Sequence, residues 1–384
     1  MNMSLARRGF LAAAGAMLAA PRVVFAQAAT ERRFVFVIQR GAADGLNTVI
    51  PHADPAYARL RGELAVDPAS ATRLDGSFAL HPALKAFGEL HGAGQALFVH
   101  AVASPYRDRS HFDGQNVLES GGSAPYELKD GWLNRLVGLL PRRPGEAIAL
   151  APSVPLALRG ASEVGSYAPS ALAPASDDLL LRVQQLYAAD AQLHALWSAA
   201  MDARGLAGVV GEGGRRQDPA ALGRLAAQFL AQPQGPRIAM IETGGWDTHS
   251  AQNARLAAQL RGLDAMVAAL KEGLGAAWKE TVVLVATEFG RTVAANGTGG
   301  TDHGTGSAAL LAGGAVQGGR VIADWPGLAA AALYEGRDLR PTLGLDALIA
   351  AVAAETFGLD RERVGRALFP RMQGGKALPR LIRA

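Results

Sequence analysis

The 384-residue sequence has no cysteine. That excludes a disulfide frame, thiolate-bound zinc, iron–sulfur clusters and thiol catalysis, and leaves Asp, Glu, His and Asn to ligate any metal. Aromatic residues are scarce at 6%, and no basic stripe interleaved with aromatics occurs, so nucleic acid is not an expected partner. Charge of one sign is lacking too: Lys plus Arg is 38, Asp plus Glu is 34, and the net charge is +4. Arg7, Arg8 and Arg22 fall in the first 26 residues, which carry no acid, so the remainder is near +1. Beyond that segment no apolar run reaches 18 residues without a charge, Gly or Pro, so no stable membrane span is expected in the mature chain. Glycine is abundant, with 46 residues, and suits many tight turns better than long helical bundles.

Residues 1–26 combine a charged start, a short Ala-rich apolar stretch and the small-residue end Val24-Phe25-Ala26, the pattern of a cleaved signal peptide. Arg7-Arg8-x-Phe10-Leu11 resembles a twin-arginine export motif. The apolar run from Gly9 to Ala20 is too short to cross a bilayer of about 30 Å. The expectation is a periplasmic or secreted protein, delivered by the twin-arginine machinery.

Short aliphatic runs at 34–39, 96–103, 148–158, 237–242, 281–287, 307–312 and 320–323 read as buried strands. Apolar residues recurring at three- and four-residue steps predict helices over 177–207, 219–231, 251–280 and 342–356. The alternation predicts a doubly wound, mostly parallel α/β sheet with helices on both faces. One domain over 27–384 is expected, with an embellished middle at about 141–236 that shapes specificity or an interface. In such sheets ligands bind beyond the carboxyl ends of the strands.

The strand-end loops hold the chemistry. Asp44 lies between Gly41 and Gly45, where the chain can turn and present a carboxylate over the sheet edge; the plain alternative is a turn that caps the next element. Ser110 and Asp113 form a capping box for a helix, and a hydroxyl at a helix N-terminus is also placed to act as a nucleophile. Arg109 could recognise an anion, and His111 could be a ligand or a base. Asp247 and His249, two apart after Gly244-Gly245, project to one side of an extended loop. Glu288 directly follows a buried strand and needs a partner or a metal, with Arg291 as the obvious ion-pair partner. The Gly-rich loop 296–306 lacks the Gly-Lys-Ser/Thr of a phosphate-binding loop but delivers Asp302 and His303 to the same edge. Such a set supports a hard cation or zinc that activates water or a hydroxyl. His52, His81, His91, His100 and His194 lie elsewhere and read as structural or surface histidines.

Together, Arg-Gly-Ala-Ala-Asp44-Gly-Leu-Asn47, Ser-Pro-Tyr-Arg-Asp-Arg-Ser110-His111-Phe-Asp113, Gly-Gly-Trp-Asp247-Thr-His249, Thr-Glu288-Phe-Gly-Arg291-Thr and Gly-Gly-Thr-Asp302-His303-Gly resemble the DUF1501 family over about residues 33–370. These are exported proteins of the alkaline phosphatase/sulfatase-like superfamily. The resemblance implies one or two metal ions at the strand ends. Asp44 would match the first-strand ligand, Ser110 the nucleophile, Asp247 and His249 an Asp…His metal pair, and His303 the final ligand. The superfamily's Asp-His after the later strand is here Glu288-Phe289, which leaves a single-metal site, or a site adapted to another role. The expected function is hydrolysis of a phosphate or sulfate ester. Asp44, Asp247, His249, Glu288, Asp302 and His303 would hold a divalent ion (Zn, Mg, Mn or Ca). Ser110 or activated water would attack, with His111 beside it, and Arg109 and Arg291 would neutralise a small anionic substrate. The alternative is a non-catalytic exported binding or envelope-associated protein on the same fold.

Overall fold

A computed structural model describes residues 31–141, 145–168, 177–207, 218–372 and 377–384. Residues 1–26, read as the signal peptide, lie outside the described residues, as do parts of the middle region. No helix among the described residues is long and apolar enough to cross a membrane.

The main sheet has nine strands: β1 (Arg33–Gln39), β2 (Ala96–Ala103), β3 (Ala147–Leu150), β4 (Gly165–Ser166), β5 (Ile238–Thr243), β6 (Thr281–Thr287), β7 (Ser307–Ala312), β8 (Arg320–Ile322) and β9 (Leu343–Gly344). Their order is β8-β2-β7-β6-β1-β5-β3-β4, with β9 paired to β2. Every pairing is parallel except those of β7 with β2 and β6. The expected α/β sheet, mostly parallel, is therefore what forms. The antiparallel β7 matters for the site: its lead-in loop reaches the edge where β1, β2, β5 and β6 end.

Successive residues of β1 face opposite ways, so both layers need apolar cover. Phe34, Phe36 and Ile38 pack with Trp132 and Leu136 of α5 (Trp132–Leu139) and with α10 and α11 (Leu345–Phe357, Arg361–Leu368). Val35 and Val37 pack with α3 (Lys85–Gly92), α8 (Pro219–Ala231) and α9 (Gln252–Leu274). Each such large side chain, fully buried, contributes roughly 1.5–3 kcal/mol. The shorter helices are α1 (Gly45–Thr48), α2 (Tyr57–Arg61), α4 (His111–Ser120), α6 (Asp177–Tyr187) and α7 (Ala191–Ala207).

Three expectations need correcting. The run 148–158 is a strand only to Leu150, because Pro152 and Pro155 cannot donate to a ladder; Leu156–Leu158 form a short 3-10 turn. The pattern over 177–207 is two helices, since the Asp190 carboxylate accepts from Gln192 and Leu193 N–H and starts a new one. The helix predicted to 280 closes at Gly275, whose φ of +52° ends it, and a 3-10 segment follows.

His100 on β2 is fully buried and complete as a neutral ring: Nε2 donates to the Val49 carbonyl at 2.8 Å, and Nδ1 accepts from Ala101 N–H at 2.7 Å. Burial pushes its pKa down to about 4, and burial does the same to His81. Above about pH 6.5 both folded and unfolded forms are neutral, so this stability is fully present. It is lost as pH falls toward 4, because the unfolded imidazole takes a proton that the native one refuses. For His100 alone the loss is roughly 3 kcal/mol. Urea unfolding midpoints at pH 7 and pH 4.5 should show it. His100→Gln should lower stability at pH 7 yet flatten the slope; an unchanged slope would remove His100 from the account.

Candidate metal centre

The site is built where β1, β2, β5 and β6 end and β7 begins. Gly41, at φ +118°, lets the chain after β1 pass so close to the next loop that a Cβ there would sit 2.6 Å from the Asp247 backbone nitrogen. The amides of Gly41 and Ala42 turn inward and donate to Glu288 Oε1 at 2.8 and 3.1 Å. Glu288, fully buried, also accepts there from Gln115 at 3.2 Å and from His111 Nδ1 at 2.8 Å. His111 opens α4 and Gln115 stands one turn on, so both reach the same carboxylate.

After β5, buried Trp246 anchors the loop by donating from its indole to Thr243 Oγ1 at 3.0 Å. Asp247 then extends over the edge. Its Oδ1 accepts from Arg291 Nη1 at 2.6 Å, and its Oδ2 lies 3.4 Å from His111 Nε2. Arg291 is buried and held by the Thr301 hydroxyl and carbonyl. His249 Nδ1 meets Asp302 Oδ1 at 3.1 Å, and His303 Nδ1 meets the Arg109 carbonyl at 2.9 Å.

Ligand atoms of His111, Asp247 and His303 all lie within 4.8 Å of one another. His249 Nε2 is 3.0 Å from both Asp247 Oδ1 and His303 Nε2. The Nε2 atoms of His249 and His303 lie 3.0 and 3.4 Å from Asp247 Oδ1 and that of His111 lies 3.4 Å from Oδ2, while an oxygen acceptor takes each Nδ1. Those acceptors assign the Nδ1 protons, which leaves lone pairs on the inner nitrogens. Two such lone pairs, on His249 and His303, face each other at 3.0 Å, which demands a proton or a cation between them. Nε2 of His111 is buried with no hydrogen-bond partner. A carboxylate or carbonyl behind each ring is also how metal-binding histidines are held.

Electrostatics agree. Asp247, Glu335 and Asp338 pair with Arg291, Arg109 and Arg337, whereas Glu288 and Asp302 meet the imidazoles of His111 and His249. Burial opposes ionisation of Asp247, but Arg291, with His249 and His111 beside it, holds it below the ordinary carboxylate range. The Asn296 hydrogen bond, then His249, does the same for Asp302. The Glu288 hydrogen bond raises the His111 pKa against burial. Burial, with His111 and Arg291 nearby, lowers that of His303.

Of the residues expected to bind metal, Asp247, His249 and His303 reach the cluster, and His111 joins them. Glu288 and Asp302 stand behind the rings of His111 and His249. Asp44 is used elsewhere. It caps α1 through Leu46 and Asn47 N–H, and its oxygens meet Arg61 at 2.5 and 2.9 Å and Gln252 at 2.5 Å, so no oxygen is left for a shared metal. Ser110 is the N-cap residue of α4, but its hydroxyl makes no cap bond, so the expected capping box is not formed. Arg109 is paired with Asp338 and Glu335, and Arg291 with Asp247, not with Glu288. Gln115 was legible as the i+4 neighbour of His111. Arg61 gave no signal, because nothing in its segment separates it from a surface arginine.

The family model described as "Protein of unknown function (DUF1501)" matches residues 31–368. No curated protein matches the chain. Among solved structures it is similar to Ps i-CgsB in complex with k-i-k-neocarrahexaose, at 11% identity and TM-score 0.45, over 88% of this chain and 74% of that one. A putative sulfatase from Bacteroides thetaiotaomicron matches at 10% identity and TM-score 0.41, over 91% and 76%. Alkaline phosphatase from the Antarctic bacterium TAB5 matches at 10% and 0.36, over 76% and 94%.

Proposed function

The chain belongs to the DUF1501 family of proteins of unknown function, so its activity must be read from its own site, and we propose an exported, zinc-dependent hydrolase of a phosphate or sulfate ester. The observation that carries this reading is the group of His111, Asp247 and His303, whose ligand atoms lie within 4.8 Å of one another, with His249 Nε2 3.0 Å from both Asp247 and His303 and each ring held from behind. Ligand bonds of about 2.0–2.1 Å in a tetrahedron put neighbouring donors about 3.3 Å apart. His249 Nε2, His303 Nε2 and Asp247 Oδ1 are 3.0–3.4 Å apart, His111 Nε2 is 3.4 Å from Asp247 Oδ2, and the His111, Asp247 and His303 ligand atoms lie within 4.8 Å of one another. Three nitrogens and one carboxylate favour zinc over calcium or magnesium, which take oxygen shells.

His111, Asp247, His249 and His303 would hold the ion. When bound, it supplies a Lewis acid that polarises an ester oxygen. Arg291 keeps Asp247 anionic and aimed inward. Ser110 precedes His111 at the start of α4, where free amides favour an oxyanion, and its hydroxyl is the candidate nucleophile. The ester class rests on the motif resemblance, and export by the twin-arginine route rests on residues 1–26.

A second reading has an observation of its own. Both arginines expected to meet substrate charge already have carboxylate partners. That suits an ion holding a binding protein together.

The test uses chain lacking residues 1–26, loaded with zinc, dialysed and assayed for metal, then offered an aryl phosphate monoester, a diester and an aryl sulfate. About one zinc per chain and turnover of at least one ester are expected, and Asp247→Asn should weaken zinc binding more than about a hundredfold and abolish turnover. A chain that retains no zinc sinks the metal reading. Zinc without turnover of any ester transfers the site to the second reading.

A further inference from the structure

We propose that Asp338, distant in sequence from every cluster residue, is the positioning residue that fixes His303 and so sets the affinity of the site for its metal. The proposal rests on reading the cluster as a metal site. Asp338 lies in a tight turn closed by reciprocal backbone bonds with Tyr334, at 2.9 and 3.0 Å, with Glu335 and Gly336 both at positive φ. Its carboxylate is fully buried. A buried charge persists only when it is paired and hydrogen-bonded, and the identity of the partners here is informative.

Each one leads to His303. Asp338 Oδ2 accepts from Arg109 Nε at 2.9 Å and lies 2.8 Å from Nη2, which donates to Glu335 Oε2. The carbonyl of that same arginine is the acceptor for His303 Nδ1, at 2.9 Å. Oδ2 also accepts from the Thr305 hydroxyl at 2.6 Å, two residues beyond His303. Oδ1 makes no hydrogen bond but is ion-paired with Arg337, whose Nε lies 3.3 Å away and whose Nη2 donates to the His303 carbonyl. His303 is thus tied at its ring, its own peptide and its following loop, and each tie runs back to one carboxylate.

Arg109 shows why the tie is needed. It sits at φ +62°, a left-handed conformation that side-chain-bearing residues adopt reluctantly. That conformation aims its carbonyl at the imidazole, and the clasp of its guanidinium on buried Asp338, with exposed Glu335 on the outer side, holds it there. Without the clasp the carbonyl turns away, Nδ1 loses its acceptor, and Nε2 no longer keeps its lone pair facing the cluster. Second-sphere hydrogen bonds of this kind tune metal affinity about 10–100-fold.

The experiment compares full-length mature wild type with Asp338→Asn and Arg109→Gly. Glycine tolerates the left-handed φ and keeps the carbonyl but lacks the clasp, so it serves if Asp338→Asn fails to fold. Two readouts are needed: zinc affinity by competition with a chromophoric chelator, and the nitrogen-15 histidine spectrum of the metal-free protein, which shows whether His303 Nδ1 carries a hydrogen-bonded proton. Expected are a 10–100-fold loss of zinc affinity and loss of the His303 Nδ1 signal, while the Nδ1 protons of His111 and His249 stay held by Glu288 and Asp302. A general loosening would move all three. An unchanged His303 signal in the variants overturns the proposal, as does wild-type affinity for zinc. If wild type itself takes up no zinc, the metal reading fails, and the claim that Asp338 fixes His303 is decided by the Nδ1 signal alone.

Discussion

Arg61→Met alone should cost the fold about 3–5 kcal/mol, the ordinary consequence of leaving one member of a buried ion pair without its partner. Arg61 and Asp44 are both fully buried, and their two contacts of 2.5 and 2.9 Å form a fork on the carboxylate. Asp44 cannot retreat to solvent, because Oδ1 also caps α1 and Oδ2 holds Gln252. The loss therefore measures a stranded anion rather than missing methylenes. The double variant Asp44→Asn with Arg61→Met should recover at least half of it. Asparagine keeps the cap, and a turned-over Gln252 amide can still meet the hydroxyls of Thr248 and Thr301. Urea unfolding at neutral pH reads both. If the double variant is no more stable than Arg61→Met, charge is not the reason for the pair.

Asp44 also shows how far the sequence could be read. An acid after a buried strand needs a partner, and the loop around it suggested either a metal or a cap. The cap is real, but the cation is Arg61, brought over by α2 from 17 positions away. Only the packing of α2 decides that. Strands β6 and β7 were legible to the residue, because continuous aliphatic runs in a sheet covered on both faces admit little else. The run 148–158 misled for the same reason: it is apolar, but its prolines end the ladder.

At the site, the loops were found and the division of labour was not. Asp247, His249, Asp302, His303 and Glu288 do gather at the predicted edge. Which of them face the centre depends on which nitrogen or oxygen each neighbour claims, and no spacing rule encodes that. His111 moved inward because Glu288 took its Nδ1, and Asp302 moved outward because His249 took its carboxylate. Asp338 was invisible for a related reason. Its partners come from three separate segments, and an Arg-Asp pair in a turn looks like surface until the turn is folded under.

Glu288 gives the second large expected effect. Glu288→Gln should preserve the fold, since Oε1 can still accept from Gly41 and Ala42 while the amide nitrogen faces the Thr287 hydroxyl. What disappears is the charge behind His111. The bond from Glu288 is the foremost reason the His111 pKa is raised, so the variant ring is a weaker base and a weaker donor. Zinc affinity at neutral pH should fall about 10–100-fold. The sign of the pH dependence follows. A ring with a raised pKa holds its proton to higher pH and must release it to bind metal, so wild type loses affinity earlier on acidification. The gap between wild type and Glu288→Gln should therefore narrow as pH falls below neutrality. His111→Ala removes the donor itself and should cost more than Glu288→Gln at every pH. Chelator competition at several pH values checks all three statements. Equal affinities for wild type and Glu288→Gln at neutral pH would mean that His111 does not bind the metal through Nε2, and the centre would have to be rebuilt around Asp247, His249 and His303 alone.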